Sequence, residues 1–219
     1  MKLLLTSGGV TNSSIHKALQ NLLAKPISEC NALACSTASY PMANGAQMAQ
    51  KFYDVNGDSA MTNLGWKSVG ILELTALQSI SEEIWKQQLS DADVLLVNGG
   101  DPLYLHHWMK TSGVAEFIST LENLVYVGLS AGSMTMTPRI GEEFIDWKQP
   151  DGTDTTLDLV DFSIFPHLDH PMLTENTMAA AVEWAKKLGN DSYAIDEDTA
   201  IKVVADQVEV ISEGNWRKF

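Results

Sequence analysis

The chain has 219 residues, 45% apolar, 8% aromatic and 19% charged, a composition that excludes disordered, collagen-like and coiled-coil architectures. Fourteen basic residues stand against 28 acidic ones, and the net charge of −14 repels nucleic-acid phosphate and anionic lipid at long range, so neither polymer is expected as a partner. No apolar run approaches the roughly 18–20 residues needed to cross a bilayer, and the start of the chain is too short in apolar residues for a secretory signal. A cytoplasmic protein is expected. A chain of this length buries about 70% of its unfolded surface and needs neither disulfide nor metal for stability. Cys30 and Cys35, without a second pair or a histidine cluster, read as small apolar residues in or near a strand, not zinc ligands.

In chain order, residues 2–7 form an apolar run that breaks at Gly8-Gly9, and Asn12 or Ser13 then caps a helical pattern through Ile15, Leu19, Leu22 and Leu23. Residues 32–37 read as a second strand, followed by a helix over about 44–55 with Met48, Phe52 and Val55 on one face. A third strand over 69–74 and a helix over 82–89 precede the fully apolar strand 94–97, which ends at Asn98-Gly99-Gly100-Asp101-Pro102. A helix through Leu105, Trp108 and Met109 follows, then a strand over 124–129 that stops at Ser130. Short apolar strands alternating with amphipathic helices predict a doubly wound, mostly parallel α/β sheet. Beyond Ile140 the pattern changes to a polar stretch over 149–156, a strand over 157–164 and a long helix over about 174–188. Short strands are expected over 193–196, 199–204 and 207–211, the last two joined by a tight turn at Ala205-Asp206. With no repeat or linker, residues 1–219 are expected to form a single α/β domain.

In such a sheet, ligands bind at the carboxyl ends of the strands. Gly128-Leu129-Ser130-Ala131-Gly132 matches G-x-S-x-G directly after a buried strand and before a helix-compatible segment, the context of a nucleophile elbow. Ser130 is the candidate nucleophile, set against the alternative of a helix cap or packing turn, and the Ala131 amide a candidate oxyanion donor. Of the five histidines, His167 follows an apolar stretch and Pro166 at a strand end, which favours it as general base over His16, His106, His107 and His170. The acid that would orient it stays open: Asp196, Glu197 and Asp198 form the best cluster, while Asp158, Asp161 and Asp169 lie nearer in sequence. Gly99 and Gly100 would let backbone approach a substrate, with the Gly100 amide a second oxyanion donor, and they also make a strand-to-helix turn capped by Asp101; the two readings are compatible. Gly8-Gly9 lacks both the dinucleotide and the P-loop signatures.

These residues carry a resemblance. Leu4-Leu5-Thr6-Ser7-Gly8-Gly9, Val94-Leu95-Leu96-Val97-Asn98-Gly99-Gly100 and Gly128-Leu129-Ser130-Ala131-Gly132 are similar to the peptidase E (aspartyl dipeptidase) family of serine peptidases, relatives of cyanophycinase. The resemblance implies a three-layer, flavodoxin-like or class I glutamine-amidotransferase-like sandwich and a Ser-His-Glu triad falling on Ser130, His167 and Glu197. Its segment Ile195-Asp196-Glu197-Asp198-Thr199-Ala200 selects Glu197 among the acids, and its oxyanion amides fall on Gly100 and Ala131. The order Ser, His, Glu differs from that of α/β-hydrolases.

Two departures bear on specificity. Family members with aspartyl dipeptidase activity carry Asn after the Gly-Gly pair and an arginine after the catalytic histidine. Here Asp101-Pro102 follows the pair, and residues 167–178 hold neither Arg nor Lys. A carboxylate at Asp101 would repel an acidic side chain, which argues against strict aspartate specificity and leaves Arg139 the nearest basic candidate. The expectation is a serine peptidase acting on a small peptide without metal or organic cofactor, as monomer or homodimer. The alternatives are an amidase or esterase using the same residues on a non-peptide substrate, and a non-catalytic binding protein. The six tryptophans, Trp66, Trp85, Trp108, Trp147, Trp184 and Trp216, are expected in the core or a cleft wall, and the nine methionines as gap-fillers.

Overall fold

Strands and helices alternate from the start of the chain: β1 (Lys2–Thr6), α1 (Ser13–Leu23), β2 (Asn31–Cys35), α2 (Gly45–Tyr53), β3 (Ser68–Ile71), α3 (Glu82–Asp91) and β4 (Val94–Val97). Then come α4 (Pro102–Thr111), α5 (Val114–Ser119), β5 (Val125–Leu129) and the single turn α6 (Ala131–Met134). The remainder holds β6 (Ser163–Phe165), α7 (Met178–Leu188), β7 (Ser192–Ile195), β8 (Thr199–Val204), β9 (Gln207–Ser212) and β10 (Trp216–Lys218). The computed structural model describes residues 1–150, 152–205 and 207–219; Asp206 of the expected tight turn lies outside the described residues, and Ala205 before it has φ 50°.

Seven strands form one sheet in the order β3-β2-β4-β5-β1-β8-β9. The first five are mutually parallel, while β8 and β9 extend the sheet antiparallel. Side-chain alternation along the strands explains the three layers. Leu3, Leu5, Leu95, Val97 and Tyr126 face Trp85 and Leu89 of α3, Leu105 and Met109 of α4 and Ile118 of α5. Their neighbours Leu4, Val94, Leu96, Val125 and Val127 face Ile15, Leu19 and Leu22 of α1 and Phe52 of α2. Strands covered on both faces cannot alternate apolar with polar, so the sheet interior reads as unbroken apolar runs. This is the expected doubly wound, mostly parallel α/β fold.

A second sheet, β10-β7-β6, pairs β6 parallel and β10 antiparallel to β7. It packs on α7 through Phe165, Ala194 and Trp184, with Leu168 in the same cluster. Four expectations need correction here. The strand over 157–164 is confined to Ser163–Phe165, because the amides of Leu157, Asp158 and Leu159 bond the carbonyls of Thr135, Thr137 and Met136 beyond α6 instead of a neighbouring strand. The long helix begins at Met178 rather than near residue 174, where the Thr177 hydroxyl accepts from the Ala180 amide as N-cap. The second helix ends at Tyr53, which leaves Val55 40% exposed instead of on the buried face. Trp216 is 44% exposed on β10, unlike the buried Trp85 and Trp184. Cys30 and Cys35 are both buried and free, and burial pushes the Cys35 thiol up to about 11.

Candidate active site

The carboxyl end of β5 turns directly into α6, and Ser130 stands at the corner with φ 50° and ψ −110°. Side chains rarely adopt that conformation, and holding one there costs about 1–3 kcal/mol, so the surroundings must enforce it. They do so through β1: the Ser130 amide donates to the Thr6 carbonyl at 3.0 Å, and the Ser133 hydroxyl donates to the same oxygen at 2.7 Å. Gly132 supplies the room, since a Cβ there would sit 2.4 Å from the Val97 carbonyl oxygen of β4. The second small residue of the motif is therefore a packing requirement between α6 and the sheet.

His167 reaches the corner from the other side of the fold. It follows β6 and Pro166, also at positive φ (58°), and its amide donates to the Ser7 hydroxyl at 2.7 Å. Its neighbour Leu168 donates from its amide to the Ile195 carbonyl at 3.1 Å, tying the loop to the end of β7. Glu197 sits in the turn between β7 and β8. The Asp196 side chain braces that turn by accepting from the Asp198 amide and the Thr199 hydroxyl, and the Thr11 hydroxyl donates to the Glu197 carbonyl. The Glu197 carboxylate lies over Gly8, where a Cβ would be 2.1 Å from Oε2.

The three side chains form one hydrogen-bonded line. His167 Nε2 is 2.7 Å from Ser130 Oγ, and His167 Nδ1 is 2.5 Å from Glu197 Oε1. A carboxylate accepts only, so Nδ1 carries the proton and Nε2 is left as the acceptor for the serine hydroxyl. Part of each partner stays accessible, the side chains of His167 and Glu197 being 21% and 31% exposed. His170 stands behind, with Nε2 4.0 Å from Glu197 Oε1. His16, His106 and His107 lie away from this line, on α1 and α4.

The Gly99-Gly100 loop borders the same corner, because a Cβ on Gly99 would come within 3.3 Å of the Ser130 Cβ. Gly100 has φ 140°, and any side chain there would strike the Ala38 carbonyl at 2.1 Å, so only glycine fits. The loop is held from below by Asn98, which donates to the Ser36 hydroxyl at 2.9 Å, and by Ser39, which donates to the Gly99 carbonyl at 2.9 Å. The Gly100 and Ala131 amides have no protein acceptor among the described residues.

Two expectations about specificity change. Asp101 does not present its carboxylate to a substrate: it is 2% exposed, with one oxygen accepting from the Tyr104 amide at 2.8 Å and the other from the Trp147 amide at 2.7 Å. It caps α4, and burial raises its pKa despite those bonds. Arg139 is held by Asp154, with Nε 3.0 and 3.1 Å from the two carboxylate oxygens, so its charge is already paired. The sequence gives no individual role to Ser7, a fully buried hydroxyl whose oxygen holds the His167 amide. Its only sequence signal is its place at the carboxyl end of β1, directly before Gly8-Gly9.

A sequence profile for peptidase family S51 matches residues 3–211. The chain belongs to this family. A relative named Uncharacterized peptidase Lmo0363, from Listeria monocytogenes serovar 1/2a, is 30% identical over 165 residues, spanning 72% of this chain and 77% of the relative. Among solved structures, a Listeria monocytogenes EGD-e protein bearing the peptidase E name superposes with TM-score 0.71 at 22% identity, covering 97% of this chain and 98% of that one. A peptidase from an acI-B1 Actinobacterium gives TM-score 0.68 at 16% identity over 100% and 96% of the two chains. At those identities the two structures speak for the fold, while the family match makes this S51 chain a peptidase. Among the described residues, no helix is long and apolar enough to cross a membrane.

Proposed function

We propose that this S51 peptidase is a serine dipeptidase-like hydrolase that cleaves short peptides in the cytoplasm, without strict preference for aspartate. The observation that carries the reading is the line Ser130-His167-Glu197, with both contacts at hydrogen-bond distance. Ser130 Oγ attacks the scissile carbonyl while its proton passes to His167 Nε2. Glu197 keeps His167 in the required tautomer and stabilises the imidazolium. The free amides of Gly100 and Ala131 receive the negative oxygen of the tetrahedral intermediate. Collapse breaks the C–N bond as His167 returns the proton to the leaving amine, and water then hydrolyses the Ser130 ester with His167 again as base.

The paired Arg139 and the buried Asp101 support a site that neither demands nor rejects an acidic side chain through those two residues. The test is hydrolysis of dipeptides with acidic, neutral and basic N-terminal residues, comparing the wild-type enzyme with Ser130→Ala. Turnover by wild type that vanishes in the variant is expected. Turnover retained in the variant would reject Ser130 as nucleophile, and cleavage of amides or esters but no dipeptide would reject the peptide substrate.

A further inference from the structure

A pocket of about 260 Å³ adjoins the Ser130 corner and has no part in the mechanism above. Its lining is continuous with the site, since Leu129 precedes Ser130, Asn98 begins the Gly99-Gly100 loop and Gly8 underlies the Glu197 carboxylate. Met48 and Phe52 of α2 add apolar surface to that of Leu129. Ser59 and Ala60 also line it, as do two exposed charges, Lys51 on α2 and Asp58 on the loop after it. They make no ion pair with each other or with any other described residue. An exposed ammonium with no protein partner among the described residues, beside an apolar wall, is available to an anionic group brought into the pocket. At distance the acidic protein repels such a group, so the contact must be direct.

We infer that this pocket receives the leaving residue of the peptide, with an apolar side chain on Met48, Phe52 and Leu129 and the free C-terminal carboxylate on Lys51. The inference rests on Ser130 being the nucleophile. A dipeptide has one backbone carboxylate, and it belongs to the residue that leaves; that assigns the pocket to the leaving side of the scissile bond. Cleavage is then favoured one residue from a free carboxyl terminus, and a peptide amide loses the Lys51 contact. Asp58, in the same lining, repels that carboxylate and weakens its binding. The substrate class is therefore a short peptide ending in an apolar residue with an uncapped terminus.

The experiment compares Ala-Leu with Ala-Leu-amide as substrates of wild type, Lys51→Met and Asp58→Asn. The ratio of kcat/KM for acid over amide should fall about two- to fivefold in Lys51→Met and rise in Asp58→Asn, as an exposed charge-assisted contact implies. A ratio unchanged in both variants, or acid and amide affected equally, would overturn the inference. A parallel readout needs no turnover: leucine, but not leucinamide, should protect Ser130 of wild type against a serine-reactive phosphonate, and Lys51→Met should lose that protection. No protection of wild type by leucine would equally overturn it. Failure of the phosphonate to label Ser130 at all would instead sink the serine-peptidase reading, so the two failures are told apart.

Discussion

Ser130 and its two hydrogen-bonding partners are built by different means. Ser130 stands on the parallel half of the sheet, where β5, β1 and β4 fix its strained backbone through close packing against Gly132 and two bonds to one carbonyl. His167 and Glu197 come from loops beside the antiparallel extension and the second sheet, held by a few side-chain and amide hydrogen bonds to Ser7, Thr11 and Asp196. The contrast implies that changes in the first region disturb folding and changes in the second disturb chemistry. On the proposed mechanism the corner sets where the Ser130 hydroxyl sits, and the loops set the direction of its hydrogen bond to His167.

The sharpest way to break that contrast is at the histidine. His167→Ala should lower kcat/KM by about 10³–10⁶-fold while leaving thermal stability nearly unchanged, since it removes a partly exposed ring and no core packing. Glu197→Gln should cost somewhat less, about 10³–10⁴-fold, because the amide can still occupy the space but favours the wrong tautomer. A large fall in melting temperature for either variant would show that the loops are as integral as the corner. Steady-state kinetics beside calorimetry checks both.

On the other side of the contrast, Gly132→Ala must push its Cβ into the Val97 carbonyl, and overpacking of this kind costs about 1–3 kcal/mol, or several degrees in melting temperature. Retained stability would mean that α6 slides freely on β4. Asp101→Asn tests the cap: it replaces an acceptor of a backbone amide with a donor, which should cost about 1 kcal/mol and leave the preference among dipeptide side chains as it was. A shift toward acidic substrates in the dipeptide panel would restore Asp101 to the substrate site.

The smallest effect concerns pH. Burial works against ionised Glu143, but its bond to Lys187 and that residue's charge outweigh it and hold the carboxyl below the usual range. A lowered carboxylate pKa adds stability above the ordinary value and loses it as pH falls through the folded one. Glu143→Gln should therefore be less stable than wild type at neutral pH, with the gap closing in acid; a gap independent of pH in denaturant titrations would contradict the pairing.

The same two regions differ in how far they could be foreseen from the residues alone. The parallel half was legible because buried strands announce themselves as apolar runs such as Val94-Leu95-Leu96-Val97, and glycines mark the corners that follow them. Local pattern failed where tertiary partners decide. Leu157 and Leu159 alternate as a strand would, yet their amides go to the carbonyls beyond α6, and Asp101, legible as a helix cap, also reads as a carboxylate facing the substrate until the Trp147 amide is seen on its second oxygen. α5 and β10 were not foreseen either: α5 is only six residues long, and β10 exists by pairing with β7. Ser7 meets His167 across 160 positions of sequence, a contact that no spacing rule can supply.

The central claim is that the Ser130 hydroxyl is activated by His167. It is tested most directly by treating folded wild type and His167→Ala with a serine-reactive phosphonate and locating the adduct by peptide mass spectrometry. One adduct per chain, on Ser130, formed rapidly in wild type and scarcely at all in the variant, is the predicted result. No adduct on Ser130, or equal labelling of the two proteins, would contradict it.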